Sequence, residues 1–362
     1  MFNIISLIFP QRFVGIDVGT AEIKIVEISK FGSRKKLENY GSVSAEVLYK
    51  QPFRTFDKNT LLLSSHDVAR AIKAVIQEAK IKSRQAIFSI PDFSTFFTSF
   101  ELPQMSKEEI PQAVKFEAKQ HIPFPLSEMT LDWRIMDNEE LIEQNKRMTI
   151  LLAAVPNEVI NQYTEIAKLA ELELFGLEAE VFGLIRSLVP GDNRVPQVII
   201  DIGAQSTTCS VVDGDKLYTS HSFDLGGNEL ANLISKSLGV DIKKAEEIKM
   251  VQGLLEPETF GAEKNLKEVL SPMLDNIVRE IDGIIHDFHE KRGKAVKKVV
   301  LAGGVSLLPG LKEYMAKSLE MEVEIANPFS TLFYPPVLEP ELRKMGPAYA
   351  IAIGSALRGL EY

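Results

Sequence analysis

Apolar and polar positions alternate along this chain in two rhythms that keep exchanging. Short apolar runs bounded by Gly, Pro, Asp or Asn predict strands at Phe13–Asp17, Ile23–Ile28, Ala86–Pro91, Thr95–Leu102, Met129–Met136, Met148–Val155, Gln197–Asp201, Thr207–Val212 and Lys298–Leu301. Apolar residues three and four apart predict helices between them. Positions 68, 71, 72, 75, 76 and 79 form one face of a helix over Asp67–Ala79, suited to cover a sheet. Leu274, Ile277, Val278, Ile281, Ile285 and Phe288 stripe a long helix, and positions 311, 315 and 319 mark another over Leu311–Leu319. From 90 to 170 the order is strand, strand, helix (Lys107–Gln120), a Pro-rich turn (His121–Pro125), strand, strand and helix (Glu158–Leu169), with Ser106 and Glu109 spaced as a capping box. Strands mixed with helices throughout make an α/β protein.

The chain also repeats itself once. Phe13-Val-Gly-Ile-Asp17-Val-Gly19-Thr20 aligns with Gln197-Val-Ile-Ile-Asp201-Ile-Gly203-Ala204, 184 residues apart, each followed by a polar turn and a second strand. That spacing is about half the chain, which predicts a duplicated lobe rather than a solenoid. Each copy has the chemistry of a phosphate loop. A glycine lets backbone approach an anion with no Cβ in the way, and Thr20, Ser206 and Thr207 with free N–H groups can hold oxygens. Asp17 and Asp201 repel phosphate, so their role is to hold a hydrated Mg²⁺. A single Asp-x-Gly is ordinary turn chemistry; two half a chain apart can grip one nucleotide from both sides.

A third glycine cluster, Gly303-Gly304-Val305-Ser306, lies between a strand and a helix. It reads equally as a place where a base or ribose meets bare backbone and as a tight connection. Glu246 and Lys249 share a helix face; alone they read as a surface ion pair.

Composition excludes more than it assigns. With 45% apolar and 25% charged residues over 362 positions, two lobes can each bury a core. The excess of 50 Asp+Glu over 41 Lys+Arg, net −9, disfavours nucleic acid and anionic membranes as partners. The one cysteine, Cys209, sits in an apolar strand and reads as a small buried hydrophobe of a reducing compartment. No run is long enough to span a membrane, and Met1–Pro10 has no positive n-region, so we expect a cytosolic chain. P-loop, Rossmann and hydrolase-elbow signatures are absent, and His286 with His289 lack a third ligand.

The succession of phosphate loop, connecting helix, second phosphate loop, adenosine loop and small-residue terminal helix resembles the actin, heat-shock chaperone and sugar kinase superfamily. Lys24, Ala245–Lys249, Leu177-Glu178-Ala-Glu180 with the helix Phe182–Leu188, and Pro347–Arg358 fall where that superfamily carries its phosphate lysine, nucleoside segment and two connecting helices. Leu102-Pro103-x-Met105-Ser106, Phe116-Glu117-Ala118 to Ile122-Pro123-Phe124, Leu131-Asp132 and Leu151–Pro156 closely resemble the insert of the PilM family of type IV pilus assembly, an FtsA-like subgroup.

The resemblance implies an actin-like two-lobed fold of duplicated ribonuclease H-like lobes. The first lobe would be 1–89, 171–192 and 346–362, with an inserted partner-binding subdomain at 90–170. The second would be 193–227 with 293–345, carrying a helical subdomain at 228–292. ATP and Mg²⁺ would lie between Asp17, Gly19, Thr20 and Lys24 on one side and Gly203, Ser206, Thr207, Gly226, Gly227, Glu246, Lys249, Gly303, Gly304, Val305 and Ser306 on the other, with Asp17 and Asp201 holding Mg²⁺ through water. Water positioning would fall to Glu178, Glu180 or Asp201; Glu178 stands where the family has Asp, which favours at most slow hydrolysis. The implied partner is the N-terminal cytoplasmic peptide of a bitopic inner-membrane pilus protein of the PilN type, with self-association also open. An FtsA-type division filament and a small-molecule kinase compete with this reading.

Overall fold

The structure, a computed structural model, describes residues 10–49, 51–57, 60–137, 142–143, 146–189, 191, 195–255 and 265–361. The N-terminal run, apart from Pro10, and Tyr362 lie outside them. Two five-stranded sheets carry the duplication. In the first, β1 (Gln11–Val18), β2 (Glu22–Phe31) and β3 (Arg34–Ser44) form an antiparallel meander, while β6 (Gln85–Ile90) and β10 (Glu173–Ala179) add parallel strands in the order β10-β6-β1-β2-β3. The second has β11 (Gln197–Ile202), β12 (Thr207–Asp213) and β13 (Lys216–Phe223) as the meander, with β14 (Lys298–Ala302) and β15 (Glu322–Ile325) parallel on the other side of β11. Outward from β1 and from β11 the order and direction of strands are the same.

Each sheet is covered by the helices its pattern predicts. Helix Ser65–Glu78 buries Val68, Ala71, Ile72, Val75 and Ile76 against the first sheet. The helices Gly227–Leu238, Ile242–Gln252 and Leu266–Arg292 share one core with the second sheet, through Leu230, Ile234, Leu274, Ile277, Ile281 and Phe288. Cys209 is fully buried in that core. Each fully buried Leu, Ile or Phe of this core contributes about 1.5–3 kcal/mol.

The insert has its own sheet, β7 (Phe96–Pro103), β9 (Arg147–Pro156) and β8 (Met129–Ile135) in that order, backed by helix Ile110–His121. Two expectations change here. The helix starts at Ile110, not Lys107, and Ser106 does not cap it. Instead the Ser106 hydroxyl and N–H both donate to the Glu109 carboxylate, at 2.7 and 2.9 Å, within the preceding turn. Helix Asn157–Leu169, grouped with the insert above, packs Val159, Tyr163, Ile166 and Ala167 into the first lobe's core. A short hairpin, β4 (Arg54–Asp57) with β5 (Thr60–Leu63), leans on the same lobe.

Two helices join the lobes, Glu180–Leu188 and the longer Glu339–Gly359. They cross glycine on glycine. A Cβ at Gly354 would lie 1.9 Å from the Gly183 carbonyl oxygen, and one at Gly15 of β1 would lie 1.9 Å from that of Ala352. Residues of both lobes close over the crossing, with Val181, Leu184 and Ile351 beside Ile199, Val212 and Val300.

Gly354→Val therefore overpacks a backbone-to-backbone contact that cannot yield by rotamer change, and should cost more than about 4 kcal/mol in denaturant unfolding. Gly283→Ala, in helix Leu266–Arg292 with nothing within 4 Å of its added Cβ, should gain about 0.5–1 kcal/mol. Equal midpoints for the two variants would show that the crossing is not tight.

Candidate functional site

Both halves build the same loop at the end of their central strand. The Gly19 N–H donates to the Glu22 carbonyl at 3.0 Å, and the Gly203 N–H to the Ser206 carbonyl at 2.9 Å. These are equivalent bonds in the two copies, each closing the turn after Asp-x-Gly. Asp17 is buried and accepts from the Ser89 hydroxyl at 3.1 Å. Lys24 lies opposite Asp17 in the β1–β2 register, its ammonium 3.1 Å from Glu22. Asp201 is half-buried. Desolvation, joined by the charges of Glu180 and Asp17, pushes its pKa up to about 7, against the opposing pull of Lys24 and Arg54.

The two acidic candidates near the first connecting helix separate. Glu178 ends β10 facing away from this cluster: Arg186 takes both its oxygens, at 2.6 and 2.8 Å, and Arg358 adds a bond at 3.0 Å. Glu180, in the first turn of the bridging helix, faces Asp17 and Asp201 electrostatically. Its oxygens accept from Arg54 at 2.7 Å and from the Asp92 N–H at 3.2 Å. Burial raises the Glu180 pKa although Arg54 opposes it. Burial works against the Arg54 charge, but Glu180, Tyr163 and Asp17 together outweigh it and the guanidinium stays charged. Asp92 is raised well above the usual carboxylate range, first by burial and then by Glu180.

Sequence reading missed Arg54, Ser89 and Asp92. Arg54 stands in a four-residue strand with no charge periodicity, and Asp92 follows a proline as turn residues commonly do. Only the fold brings them together.

The second lobe supplies the opposite wall. The Gly227 N–H donates to the Gly203 carbonyl at 2.9 Å and that of Asn228 to Ala204 at 2.7 Å, so helix Gly227–Leu238 starts against the second loop. A Cβ at Gly226 would lie 2.7 Å from the Ala204 carbonyl oxygen. Lys249 is not part of an exposed ion pair. Its ammonium is buried and donates to the Gly227 carbonyl at 2.9 Å, with the more exposed Glu246 at 2.7 Å. Gly303 has φ +82°, and a Cβ there would meet Asp201 Oδ1 at 2.7 Å; this turn requires glycine. Gly304 is exposed with nothing within 4 Å of an added Cβ, while Val305 packs beside Gly227.

Two hydroxyls are less free than their residue type suggests, and a third residue is held by its backbone. Thr207 is fully buried and donates to the Leu225 carbonyl at 2.6 Å. Ser306 donates to the Gly303 carbonyl at 2.7 Å. Thr20 is buried, and its carbonyl accepts from the Phe53 N–H at 3.0 Å. The glycine turns after Asp17 and Asp201 and the open backbone at Gly304 fit a phosphate-bearing ligand. Among the described residues no three His, Cys, Asp or Glu side chains are grouped to hold a metal ion directly, so a cation beside Asp17 and Asp201 fits only through water. Thr207 and Ser306 do not fit as side-chain phosphate ligands in this arrangement.

Comparison with known proteins agrees with this architecture. A family model described as type IV pilus assembly protein PilM matches residues 15–360. The cell division protein FtsA of Streptococcus pneumoniae (serotype 2, strain D39) is 20% identical over 87% of this chain and 75% of its own. That of Rhizobium meliloti is 27% identical over 51% of this chain and 45% of its own. Among solved structures, a PilM-PilN type IV pilus biogenesis complex superposes at TM-score 0.82 with 24% identity, covering 96% of this chain and 98% of that one. The ethanolamine utilization protein EutJ of Carboxydothermus hydrogenoformans superposes at 0.58 with 15% identity, over 96% and 90%. The fold is the actin-like, two-lobed α/β fold that the resemblance implied, and its two matching sheets are the duplicated lobes expected from the repeat.

The raised Asp201 pKa makes a pH prediction. The unfolded chain releases this proton near its ordinary value of 3.8, whereas the folded chain holds it to about 7. Between those values the folded state binds more protons, so this group's contribution to stability falls as pH rises. Asp201→Asn escapes that loss. Its melting temperature should approach that of the wild type near pH 5 and exceed it by about 2–4 °C at pH 8. A gap that stays constant across pH would show that charge repulsion at Asp201 is not the cause.

Proposed function

The chain belongs to the PilM family of type IV pilus assembly proteins, and from that premise we propose that it works as a nucleotide-dependent adaptor. ATP lies in the cleft between the lobes, and the insert holds the cytoplasmic N-terminal segment of a PilN-type inner-membrane protein. The observation that carries the nucleotide reading is the pair of matching loops, Gly19 to Glu22 and Gly203 to Ser206, with Asp17 and Asp201 at their bases. Backbone N–H groups of the two loops hold phosphate oxygens. Gly303 and Gly304 leave room for the nucleoside, and Lys249 braces the start of helix Gly227–Leu238 under it. Asp17 and Asp201 would hold Mg²⁺ through water, where the cation offsets phosphate charge. Water positioning falls to Glu180 rather than Glu178, whose oxygens the arginines occupy.

Glu180 is itself held on both oxygens, by Arg54 and by the Asp92 N–H. A carboxylate with both oxygens held in place can orient a water but has little freedom to turn and take its proton. Hydrolysis is therefore slow, and nucleotide serves chiefly to set conformation. The PilN partner is read by likeness to the solved PilM-PilN complex. No helix among the described residues is long and apolar enough to cross a membrane; recruitment from the cytoplasm through such a partner supplies the membrane connection. The FtsA relatives favour a second reading, a filament-forming division protein.

Millimolar ATP with Mg²⁺ should raise the melting temperature, as any ligand of the native state does. Gly304→Val, which meets no protein atom within 4 Å at its Cβ, should leave the ligand-free melt nearly unchanged and remove that rise. A folded wild type that shows no rise would sink the cleft reading. Turnover should fall below the common range of about 1–1000 per second.

For the insert, Phe96 and Ala154 are paired neighbours, so residues 97–153 can be replaced by a short glycine linker while helix Asn157–Leu169 stays in the first lobe. Titration of the partner's N-terminal peptide should show binding to the full chain and at least tenfold weaker binding to the shortened one. Equal binding by both folded forms would take recognition away from the insert, and concentration-dependent polymers with ATP would favour the division-protein reading.

A further inference from the structure

The helix Glu180–Leu188 begins at a residue that cannot cap it. Its N-cap is Ala179, with no side-chain acceptor, yet its start is buried between the lobes. A helix N-terminus leaves several N–H groups without intrahelical partners, and a buried one must find them elsewhere. Here the partner comes from 89 residues away: the Val181 N–H donates to Asp92 Oδ1 at 3.2 Å. Glu180 answers by accepting the Asp92 N–H on Oε2, also at 3.2 Å. The two bonds form a reciprocal pair like a capping box, except that its halves lie on different segments.

Asp92 occupies the 3-10 turn Asp92–Ser94 that leads from β6 into β7, so it is the root of the insert. The insert touches the bridge and the second lobe as well. The Phe97 ring meets that of Phe182 on the bridging helix edge-on, with centroids 6.0 Å apart. The Lys216 ammonium at the start of β13 donates to the Met136 carbonyl just after β8. The insert thus reaches the hinge and the far lobe at once.

We infer that Asp92 is a positioning residue that caps the first bridging helix and aims Glu180 into the cleft, tying the posture of the insert to the state of the nucleotide site. This inference rests on the nucleotide reading above and adds a route by which partner and nucleotide affect each other. Arg54 is the second positioning residue, holding the other Glu180 oxygen from the β4–β5 hairpin. The cluster is under-satisfied: Arg54 Nε and Nη1 and Asp92 Oδ2 are buried without a hydrogen-bond partner. A buried polar group without a partner carries a desolvation penalty, which a rearrangement that brings it one would relieve. A small rotation of the bridging helix during lobe closure changes the reach between Asp92 and Val181, and the insert root moves with it. By linkage, whatever holds the insert also biases the cleft, and by the same factor.

The test is hydrogen exchange on the full chain, with and without saturating ATP and Mg²⁺, for wild type, Asp92→Ala and Asp92→Asn. Without nucleotide, the Val181 amide should exchange about fivefold faster in Asp92→Ala, as for a helix that has lost its cap. Asp92→Asn keeps an acceptor and should stay near wild type. With nucleotide, amides of residues 92–103 should change protection in wild type and Asp92→Asn. In Asp92→Ala that response should vanish while the nucleotide-induced rise in melting temperature remains. An insert response in Asp92→Ala equal to that of wild type would overturn the coupling. If ATP leaves the wild type's melting temperature unmoved, the nucleotide reading fails, and the clasp is judged at Val181 alone. Unchanged exchange there in a folded Asp92→Ala protein overturns it; should that variant not fold, a Val181 amide that exchanges unprotected in the folded wild type does so.

Discussion

Where helix Glu180–Leu188 passes helix Glu339–Gly359, the Gly183 carbonyl stands so close to Gly354 that a Cβ would have 1.9 Å of room. The backbones touch there, which fixes the separation of the two elements that join the lobes. The same C-terminal helix presses on β1 at Gly15, two residues before Asp17, through the Ala352 carbonyl. Five residues earlier its Pro347 carbonyl accepts the Gly303 N–H at 3.0 Å. Five helical residues span about 7.5 Å. One rigid helix therefore sets the distance between the first Asp-x-Gly loop and the third glycine loop, which belong to different lobes. Side-chain packing could not hold that distance so firmly, because side chains change rotamer and touching backbones do not.

This constraint explains what was legible in the sequence. Gly354 among Ala350, Ala352 and Ala356 reads as a helix built for close approach, and it is one. The duplicated Asp-x-Gly was legible because each copy is local: strand, carboxylate, glycine and turn follow one another, and the same N–H to carbonyl bond closes both. Glu178 and Glu180 could not be told apart because they stand two apart across a strand-to-helix junction. In a continuing strand they would share a face. The helix begins at Glu180 and turns it toward Asp17, while Glu178 remains in β10 facing the arginines. Thr207 misled by residue type, since the fully buried hydroxyl finds the Leu225 carbonyl first. Arg54 meets Glu180 across 126 residues and Asp92 meets it across 88; no local spacing encodes such partners. Lys249 looked like one half of a surface pair because spacing reports a shared face and not its burial.

Four acidic side chains, Asp17, Asp92, Glu180 and Asp201, gather at the cleft wall and insert root against the cations Arg54 and Lys24. Burying such a set is costly, and replacing buried ion pairs with apolar residues often stabilises a protein. A chain selected for stability alone would have removed them. Such a cluster, with Asp201 pushed up to about 7 by desolvation and its acidic neighbours, is the pattern that makes this cleft the candidate site. The two cations divide the work by position. Lys24 retains some solvent contact on β2 and can reorient, whereas Arg54 is buried and always charged.

Arg54 therefore fixes the direction of one carboxylate, although burial still raises the Glu180 pKa against it. It binds Glu180 directly at 2.7 Å and acts on Asp201 only through space. The carboxylate held by the buried guanidinium has a fixed direction, and the half-buried one opposite is left to respond to what enters the cleft. The division suits an adaptor better than a fast enzyme. A rapid general base must shed and regain a proton freely, and Glu180 is tied to an arginine and to the root of the insert. A switch needs the opposite, a charge that holds still while another changes. In the coupling proposed above, Glu180 is the carboxylate held in a fixed direction and Asp201 the one free to respond, and the bridging helix that begins at Glu180 would carry the result toward the insert.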